Sequence, residues 1–203
     1  MIVLIRHAHT NMAGHFCGHS DPALSELGFA QLEELNARVS RYRFTHVYSS
    51  DLQRTRQTAG AIATQYHLPV LVLESLREIG FGDWEGLTWD EIMARDSEYA
   101  QCWLNSYPAL TAQNGEEFSD FVRRIQCAME LIANEVEEGC AAVVTHAGVI
   151  RTFRTRIAGS DETLDLSACD YGSCWEMFRH AGQWMAGAHI NGPQAGCGMK
   201  AKR

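Results

Sequence analysis

Five residues of the chain carry the side-chain types that phosphate chemistry needs. A guanidinium stays charged and fits an anion with several oxygens, while an imidazole can serve as a ligand, a base or a nucleophile. A protonated carboxyl can donate a proton to a leaving group. Two arginines, two histidines and one glutamate would therefore form a phosphate site with a proton donor. These residues are Arg6, His7, Arg54, Glu78 and His146.

The candidate site residues follow short apolar runs that are too brief for helices and rich in β-branched residues. The four runs are Ile2 to Ile5, Thr45 to Tyr48, Val70 to Leu73 and Ala141 to Thr145. In an open α/β sheet, ligands bind at the carboxyl ends of the parallel strands. The sequence predicts that the five side chains converge at one edge of a mostly parallel sheet.

Helical patterns lie between these runs and predict the crossover segments. Apolar residues recur every three or four positions after Ser25, after Ser50-Asp51 and from Phe118 to Val136. Ser50 or Asp51 is expected to cap the second helix, which places Arg54 in a first helical turn, where the helix dipole favours anions. A fourth helix is expected from about Val149 to Ala158. These elements indicate an α/β fold with a mostly parallel central sheet flanked by helices.

A stretch from about residue 84 to residue 114 interrupts this alternation with short helical patterns. We interpret it as an insertion that forms a small helical lid or wall over the crevice. Its tryptophans, Trp84, Trp89 and Trp103, could fill a local core or stack on a ring-shaped group. Asp83 and Glu85 are expected to be lid residues or helix caps.

The length of 203 residues fits one domain that contains this insertion. Two strand patterns surround His180-Ala181-Gly182 and predict a hairpin at a sheet edge, where a second copy of the chain could form a homodimer. We expect a single domain over residues 1–190 and a flexible tail over residues 191–203.

Composition and charge narrow the classes of partner. The formal net charge of −8 argues against nucleic acid, which is bound by basic surfaces. No apolar run approaches the length of a membrane span, and Arg6 interrupts the apolar start before it could serve as a signal peptide. Seven scattered cysteines without a C-x-x-C pair indicate reduced thiols. We expect a cytoplasmic protein whose partner is a small phosphorylated metabolite.

The loop after the first strand region contains potential metal ligands, namely His9, His15, Cys17 and His19. They crowd one loop and lack the paired short spacings typical of structural zinc sites. We therefore expect neither a metal nor an organic cofactor. A metal hydrolase built on the loop histidines is a less favoured alternative.

Three motifs in the chain are similar to those of one known family. IRHAHT resembles the RHG motif of the histidine phosphatase superfamily, SSDLQRTRQTA resembles its second arginine segment, and VTHAGVIR resembles its second histidine segment. The resemblance implies a phosphoglycerate mutase-like fold in which His7 accepts the phosphoryl group. It also implies that Arg6, Arg54 and His146 form the phosphate pocket and that Glu78 is the proton donor.

Within that superfamily, the segments FGDWEG and NGEEF and the modest length are most similar to α-ribazole phosphatases of cobalamin nucleotide-loop assembly. The resemblance implies α-ribazole 5′-phosphate as the substrate. Three positions depart from the family pattern. Ala8 stands where the family usually has glycine, His9 where it has glutamate, and Ala13 where many members have asparagine. The loop of Ser20 could replace the missing asparagine contact.

The chemistry of these groups predicts a two-step hydrolysis without a metal. His7 can attack phosphorus only when it is neutral, so we expect one ring nitrogen to donate to a backbone carbonyl and the other to be free. Arg6, Arg54 and a protonated His146 would hold the three non-bridging oxygens. Glu78 would protonate the leaving oxygen and then activate water against the phosphohistidine.

Other functions are compatible with the same residues. A phosphoglycerate mutase-type enzyme would need a phosphorylated primer and a rich basic set for a second acidic group, which the sequence does not reveal. A broad small-metabolite phosphatase would share the mechanism without one preferred substrate. A non-catalytic module that binds phosphorylated ligands would need the cations but not Glu78. Hydrolysis is therefore the favoured prediction.

Overall fold

The computed structural model describes residues 1–159 and 169–191. The strands of its central sheet are β1 (Ile2–Arg6), β2 (His46–Ser49), β3 (Val70–Val72), β4 (Ala141–Thr145), β5 (Cys174–His180) and β6 (Gln183–Ile190). Their order across the sheet is β3-β2-β4-β1-β5-β6. Strands β1 to β4 pair in parallel, whereas β5 is antiparallel to β1 and to β6. The expected mixed α/β fold is confirmed. The expected tail, apart from Asn191, lies outside the described residues.

The helices are α1 (Glu26–Val39), α2 (Gln53–Tyr66), α3 (Trp89–Arg95), α4 (Ser97–Ser106), α5 (Phe118–Glu135) and α6 (Ala147–Thr152). A π-helical segment, Phe153–Ile157, continues α6, and the short 3₁₀ segments Glu74–Leu76 and Gly82–Trp84 follow β3. Ser25 caps α1 as expected, because its hydroxyl accepts a hydrogen bond from Gly28 N at 3.1 Å.

Helices cover both faces of the sheet, so its central strands are buried on both sides. Side chains alternate between the two faces along each strand. Leu4 and Val143 pack in the core that includes α5 and α6, whereas Val3, Ile5 and Val144 pack in the core that includes α1 and α2. This double burial explains why the strands read as continuous apolar runs and why polar residues begin only at their carboxyl ends.

Two helix starts differ from the expectation. The cap position of α2 is taken by Leu52, whose side chain has no atom that could accept a capping bond. Neither expected cap is used, because the Ser50 hydroxyl bonds to Thr55 and His146 and the Asp51 carboxylate pairs with Arg77. Helix α6 begins at Ala147, two residues before Val149, because His146 itself holds the extended cap conformation at the end of β4.

The lid predicted for residues 84–114 contains α3 and α4 around a small core of its own. Trp84 and Ile92 are buried in this core, and Trp89 and Trp103 pack against it. Phe16, from the loop after β1, joins the cluster with its ring centre 5.6 Å from that of Trp84. The β1 loop and the lid therefore pack as one unit.

Candidate active site

The carboxyl edge of the sheet brings all five expected residues around one cavity of about 270 Å³. Because β1 and β4 are adjacent and parallel, His7 and His146 leave the sheet side by side, with ring centres 5.2 Å apart. Arg6 ends β1, Arg54 enters from α2, and Glu78 enters from the segment after β3.

The buried ring of His7 is held in one tautomer. Its Nδ1 lies 2.8 Å from the carbonyl oxygen of Ala8, to which only an N–H can donate. Burial and the charges of Arg6 and Arg54 hold the pKa of His7 well below its usual value. The imidazole is therefore neutral, and its Nε2 carries the free lone pair. This arrangement confirms the expectation that a backbone carbonyl orients the ring.

The two residues after the histidine anchor the turn to the flanking helices. Ala8 is fully buried, and its N–H donates to Thr58 Oγ1 at 3.1 Å. The N–H of His9 donates to Gln31 Oε1 at 2.9 Å, and its Nδ1 lies 2.7 Å from Ser25 Oγ, the cap of α1. The turn is thus supported without the glycine and glutamate that the family pattern has at these positions.

Tyr171 is a cavity residue that sequence reasoning missed. Its ring centre lies 3.9 Å from the guanidinium carbon of Arg6 and 5.6 Å from the ring centre of His7. Arg6 also donates a hydrogen bond to the carbonyl oxygen of Cys169. The ring and the carbonyl together fix the direction of the guanidinium. Tyr171 lies in a turn before β5, where no periodicity marks it as a site residue.

Arg54 is almost fully buried and holds a loop as well as facing the cavity. Its Nη1 donates to Ser20 O at 2.6 Å, and its Nη2 donates to Cys17 O at 3.3 Å and Gly18 O at 2.8 Å. Its Nε donates to His146 Nδ1 at 3.3 Å. Within the described part of the chain these bonds occupy four of the five N–H groups that an arginine carries, which leaves one for a ligand in the cavity.

Glu85 holds the same loop from the opposite side. Its carboxylate accepts hydrogen bonds from the backbone N–H groups of Gly18, His19 and Ser20 at 2.8–3.1 Å and from the Ser20 hydroxyl at 2.5 Å. Burial opposes ionisation, but these bonds and one from Phe81 N lower the pKa of Glu85 overall. The sequence left Glu85 as a lid residue or a helix cap, and its contacts show that it supports the loop of residues 18–20 beside the cavity.

Glu78 is oriented by two backbone donors. Its Oε1 accepts from Ile79 N at 3.0 Å, and its Oε2 accepts from Gly148 N at 2.8 Å. A Cβ atom on Gly148 would lie 2.1 Å from Glu78 Oε1. The carboxylate can therefore occupy this position only because α6 carries glycine there.

Arg124 fixes the backbone that carries this carboxylate. It donates to the carbonyl oxygens of Ser75, Arg77 and Glu78 at 2.6–2.9 Å. Its guanidinium also pairs with both carboxylate oxygens of Glu116, at 2.7 and 2.8 Å. Sequence reasoning missed Arg124, although Glu116 belongs to the NGEEF segment that it singled out.

His146 is neutral in the absence of a ligand. Burial, followed by the charge of Arg54, holds its pKa well below the usual value. Its Nε2 lies 3.0 Å from Ser50 Oγ, and its Nδ1 accepts the bond from Arg54. The side chains around the ring therefore favour its neutral form. The protonated His146 expected from the sequence belongs to the complex with a phosphoryl group and stays a prediction.

Polar residues such as Thr10 and His15 line the cavity, but part of its wall is aromatic and apolar. It includes Met12, Phe16, Phe81 and Tyr171. The ring centres of Phe16 and Phe81 are 5.0 Å apart in an edge-to-face arrangement. The lid tryptophans are not part of this wall in the described residues; they fill the lid core, which favours the first of the two roles considered for them.

Residues 1–159 and 169–191 contain no group of three or more His, Cys, Asp and Glu side chains that could hold a metal ion. They also contain no helix that is long and apolar enough to cross a membrane.

The fold and the cavity with its two adjacent histidines are those of a phosphatase. The sequence model of the histidine phosphatase superfamily (branch 1) matches residues 2–187. The chain therefore belongs to the histidine phosphatase superfamily.

Two curated relatives and one solved structure are informative. The chain is 30% identical over 175 residues to an adenosylcobalamin/alpha-ribazole phosphatase of Escherichia coli, covering 85% of this chain and 86% of the relative. It is 35% identical over 161 residues to a metal-independent phosphoserine phosphatase of Arabidopsis thaliana, covering 77% and 68%. A crystal structure of a putative alpha-ribazole-5′-P phosphatase from Escherichia coli superposes with a TM-score of 0.81 at 26% identity, covering 94% and 95% of the two chains.

Proposed function

We propose that the protein hydrolyses phosphate monoesters without a metal, through a phosphohistidine at His7. The observation that carries this proposal is the neutral ring of His7, whose Nδ1–H is bound to the Ala8 carbonyl and whose Nε2 is free. Nε2 attacks phosphorus, and the bond between phosphorus and the ester oxygen breaks. Water then attacks the phosphohistidine, which releases inorganic phosphate and restores the neutral ring.

The other groups divide the remaining work. Arg6 and the free N–H of Arg54 bind non-bridging oxygens, and His146 binds a third when it is protonated. Glu78 donates a proton to the leaving oxygen and takes one from the attacking water in the second step.

The substrate that we propose is α-ribazole 5′-phosphate, in cobalamin nucleotide-loop assembly. Two observations support it. The relatives named above include adenosylcobalamin/alpha-ribazole phosphatases. The wall of Phe16, Phe81 and Tyr171 gives the cavity ring surfaces that suit an aromatic base on the leaving group. Phosphoserine is the competing substrate, because other relatives are phosphoserine phosphatases.

The deciding experiment measures phosphate release from α-ribazole 5′-phosphate, phosphoserine, 3-phosphoglycerate and a sugar phosphate, all in the presence of a chelator. A preference of several orders of magnitude in kcat/KM for α-ribazole 5′-phosphate supports the proposed substrate. Even turnover across the panel makes the protein a broad phosphatase. Activity that requires a bisphosphorylated primer identifies a mutase, and phosphate binding without turnover identifies a binding module.

We also propose a cytoplasmic location and a homodimer. The described cysteines are all free, as expected in a reducing compartment. Strand β6 lies at the sheet edge and is mostly exposed, so its backbone is available to a second copy. Sedimentation velocity tests the dimer, and a monomer at micromolar concentration would contradict it.

A further inference from the structure

A chain of hydrogen bonds leads from the phosphate cavity into the first turn of α2. Arg54 Nε donates to His146 Nδ1 at 3.3 Å, and His146 Nε2 lies 3.0 Å from Ser50 Oγ. Ser50 Oγ lies 2.6 Å from Thr55 Oγ1, which is 2.8 Å from the carbonyl oxygen of Leu52. Ser50 and Thr55 are fully buried, so no exchange with bulk water competes for these bonds.

The direction of every bond in this chain follows from its first member. Arginine Nε always carries a hydrogen, so Nδ1 of His146 must accept. A neutral imidazole has one N–H, which is therefore on Nε2 and points at Ser50. Since Ser50 Oγ accepts that bond, its own hydrogen goes to Thr55. The Thr55 hydrogen then goes to a backbone carbonyl oxygen, that of Leu52 at 2.8 Å or that of Ser50 at 3.2 Å, which ends the chain.

We propose that Ser50 and Thr55 are positioning residues that hold His146 as the Nε2–H tautomer, so that binding of a tetrahedral dianion adds one proton from solvent to Nδ1. Nδ1 then donates a hydrogen bond to a ligand oxygen. The Nε–H of Arg54 loses its acceptor on the ring and donates to the ligand instead. The Nε2–H bond to Ser50 is unchanged in both states. This inference rests on the proposed phosphate site and adds to it a coupling between ligand binding and proton uptake.

The surroundings of His146 explain why the proton arrives only with the ligand. The carboxyl of Glu78, from the segment after β3, lines the same cavity as the ring. The groups that oppose a positive charge on the ring are Arg54 from α2, Arg6 and His7 from the end of β1, and Arg124 from α5. Each of them disfavours the imidazolium, as does burial, so the free protein keeps the ring neutral. Two negative charges in the cavity reverse this balance, and Ser50 offers the oxygen that the second N–H of the imidazolium requires.

Tungstate is a suitable probe, because it is tetrahedral and remains a dianion at neutral and mildly alkaline pH. Isothermal titration calorimetry in buffers of different ionisation enthalpy measures the protons taken up on binding. ¹⁵N NMR of His146 reports which ring nitrogen carries hydrogen. We expect hydrogen on Nε2 alone in the free protein, hydrogen on both nitrogens in the complex, and uptake of about one proton.

Substitutions in the chain test the positioning role. Ser50→Ala and Thr55→Val are expected to weaken tungstate binding about tenfold and to reduce the proton uptake, whereas Thr55→Ser keeps the hydroxyl and restores both. Ser40→Ala and Thr64→Val are the matched controls, because each removes an exposed hydroxyl that bonds to a helix carbonyl away from the cavity. Both control variants should bind tungstate as tightly as the wild type and take up the same number of protons.

Three results would overturn the inference while leaving the proposed function intact: hydrogen on Nδ1 in the free protein, tungstate binding without proton uptake, or wild-type uptake in both Ser50→Ala and Thr55→Val. If tungstate fails to bind the wild-type protein and does not inhibit it, the phosphate site itself is wrong, and the inference fails with it.

Discussion

The carboxylate of Glu78 lies against the backbone of Gly148, so closely that the glycine has no room for a side chain. The Gly148 N–H donates to Oε2 at 2.8 Å, and a Cβ atom at this position would be 2.1 Å from Oε1. Glu78 comes from the segment after β3, and Gly148 belongs to α6, which follows β4. The contact thus joins the proposed proton donor to the strand end that carries His146.

Gly148→Ala should therefore displace the Glu78 carboxylate rather than unfold the protein. We expect turnover of alkyl phosphates to fall about 10²-fold, because their leaving groups depend on the proton that Glu78 supplies. Gly60→Ala is the matched control, since a Cβ on this α2 glycine would meet nothing within 4 Å. Steady-state kinetics of both variants test the idea, and undiminished alkyl ester turnover in Gly148→Ala would refute it.

Glu78→Gln should slow alkyl phosphates far more than aryl phosphates, since aryl leaving groups need less protonation. The expected loss on alkyl esters is about 10²- to 10⁴-fold. Glu74→Gln, at an exposed glutamate four residues earlier, controls for the change of charge. The comparison is kcat/KM for a matched alkyl and aryl pair, because this ratio reports formation of the phosphohistidine and not the hydrolysis step that both esters share. Equal losses on both esters would remove Glu78 from the acid role.

His7→Ala should abolish both turnover and covalent labelling. Without the imidazole there is no atom to accept the phosphoryl group, so we expect kcat to fall by on the order of 10⁴-fold or more. His180→Ala, at the exposed hairpin turn, is the control. Rapid quench with a ³²P-labelled substrate detects the phosphoenzyme. A labelled His7→Ala protein would place the intermediate on another residue.

The strand ends were predictable from the sequence because a buried strand is apolar throughout and its last residue is marked by the change to polar side chains. This signal located His7 and His146. The sequence also indicated the hairpin turn at Ala181-Gly182, and both residues have the positive φ values of a tight turn, 49° and 79°. Such patterns are local, so the sequence records them directly.

The supporting contacts were not predictable, because they join distant parts of the chain. Glu85 bonds to backbone groups 65 to 67 residues before it, and Arg124 to carbonyls 46 to 49 residues before it. Ser50 or Asp51 was expected to cap α2, since serine and aspartate near a helix start usually do so. The hydroxyl of Ser50 instead bonds to His146, and this contact is visible only in the folded structure, where the ends of β2 and β4 lie side by side.

Glu85→Gln should loosen the loop that Arg54 and Glu85 hold together. The buried carboxylate accepts four bonds from this loop, and we expect the free energy of unfolding to fall by about 1–3 kcal/mol at neutral pH. KM should rise as well, because Arg54 loses fixed carbonyl partners. Urea unfolding and steady-state kinetics measure the two effects. Asp83→Asn, at an exposed carboxylate, is the control. Equal changes of unfolding free energy and KM in the two variants would show that Glu85 does not hold the loop.

The stability of the protein should decrease in mild acid because of its buried histidines. The pKa of His146 is held well below its ordinary value of 6.5 in the folded state. The unfolded chain therefore binds more protons below about pH 6.5, and the folded state loses stability as the pH falls. The stability that depends on the neutral His146 ring is fully present above pH 6.5.

His146→Gln, which cannot be protonated, should lose less stability than the wild type between about pH 7.5 and pH 5. Urea unfolding across that range measures the difference, and His180→Gln, at an exposed histidine, is the control. If the free energies of unfolding of the wild type and His146→Gln change in parallel with pH, His146 is not the responsible group.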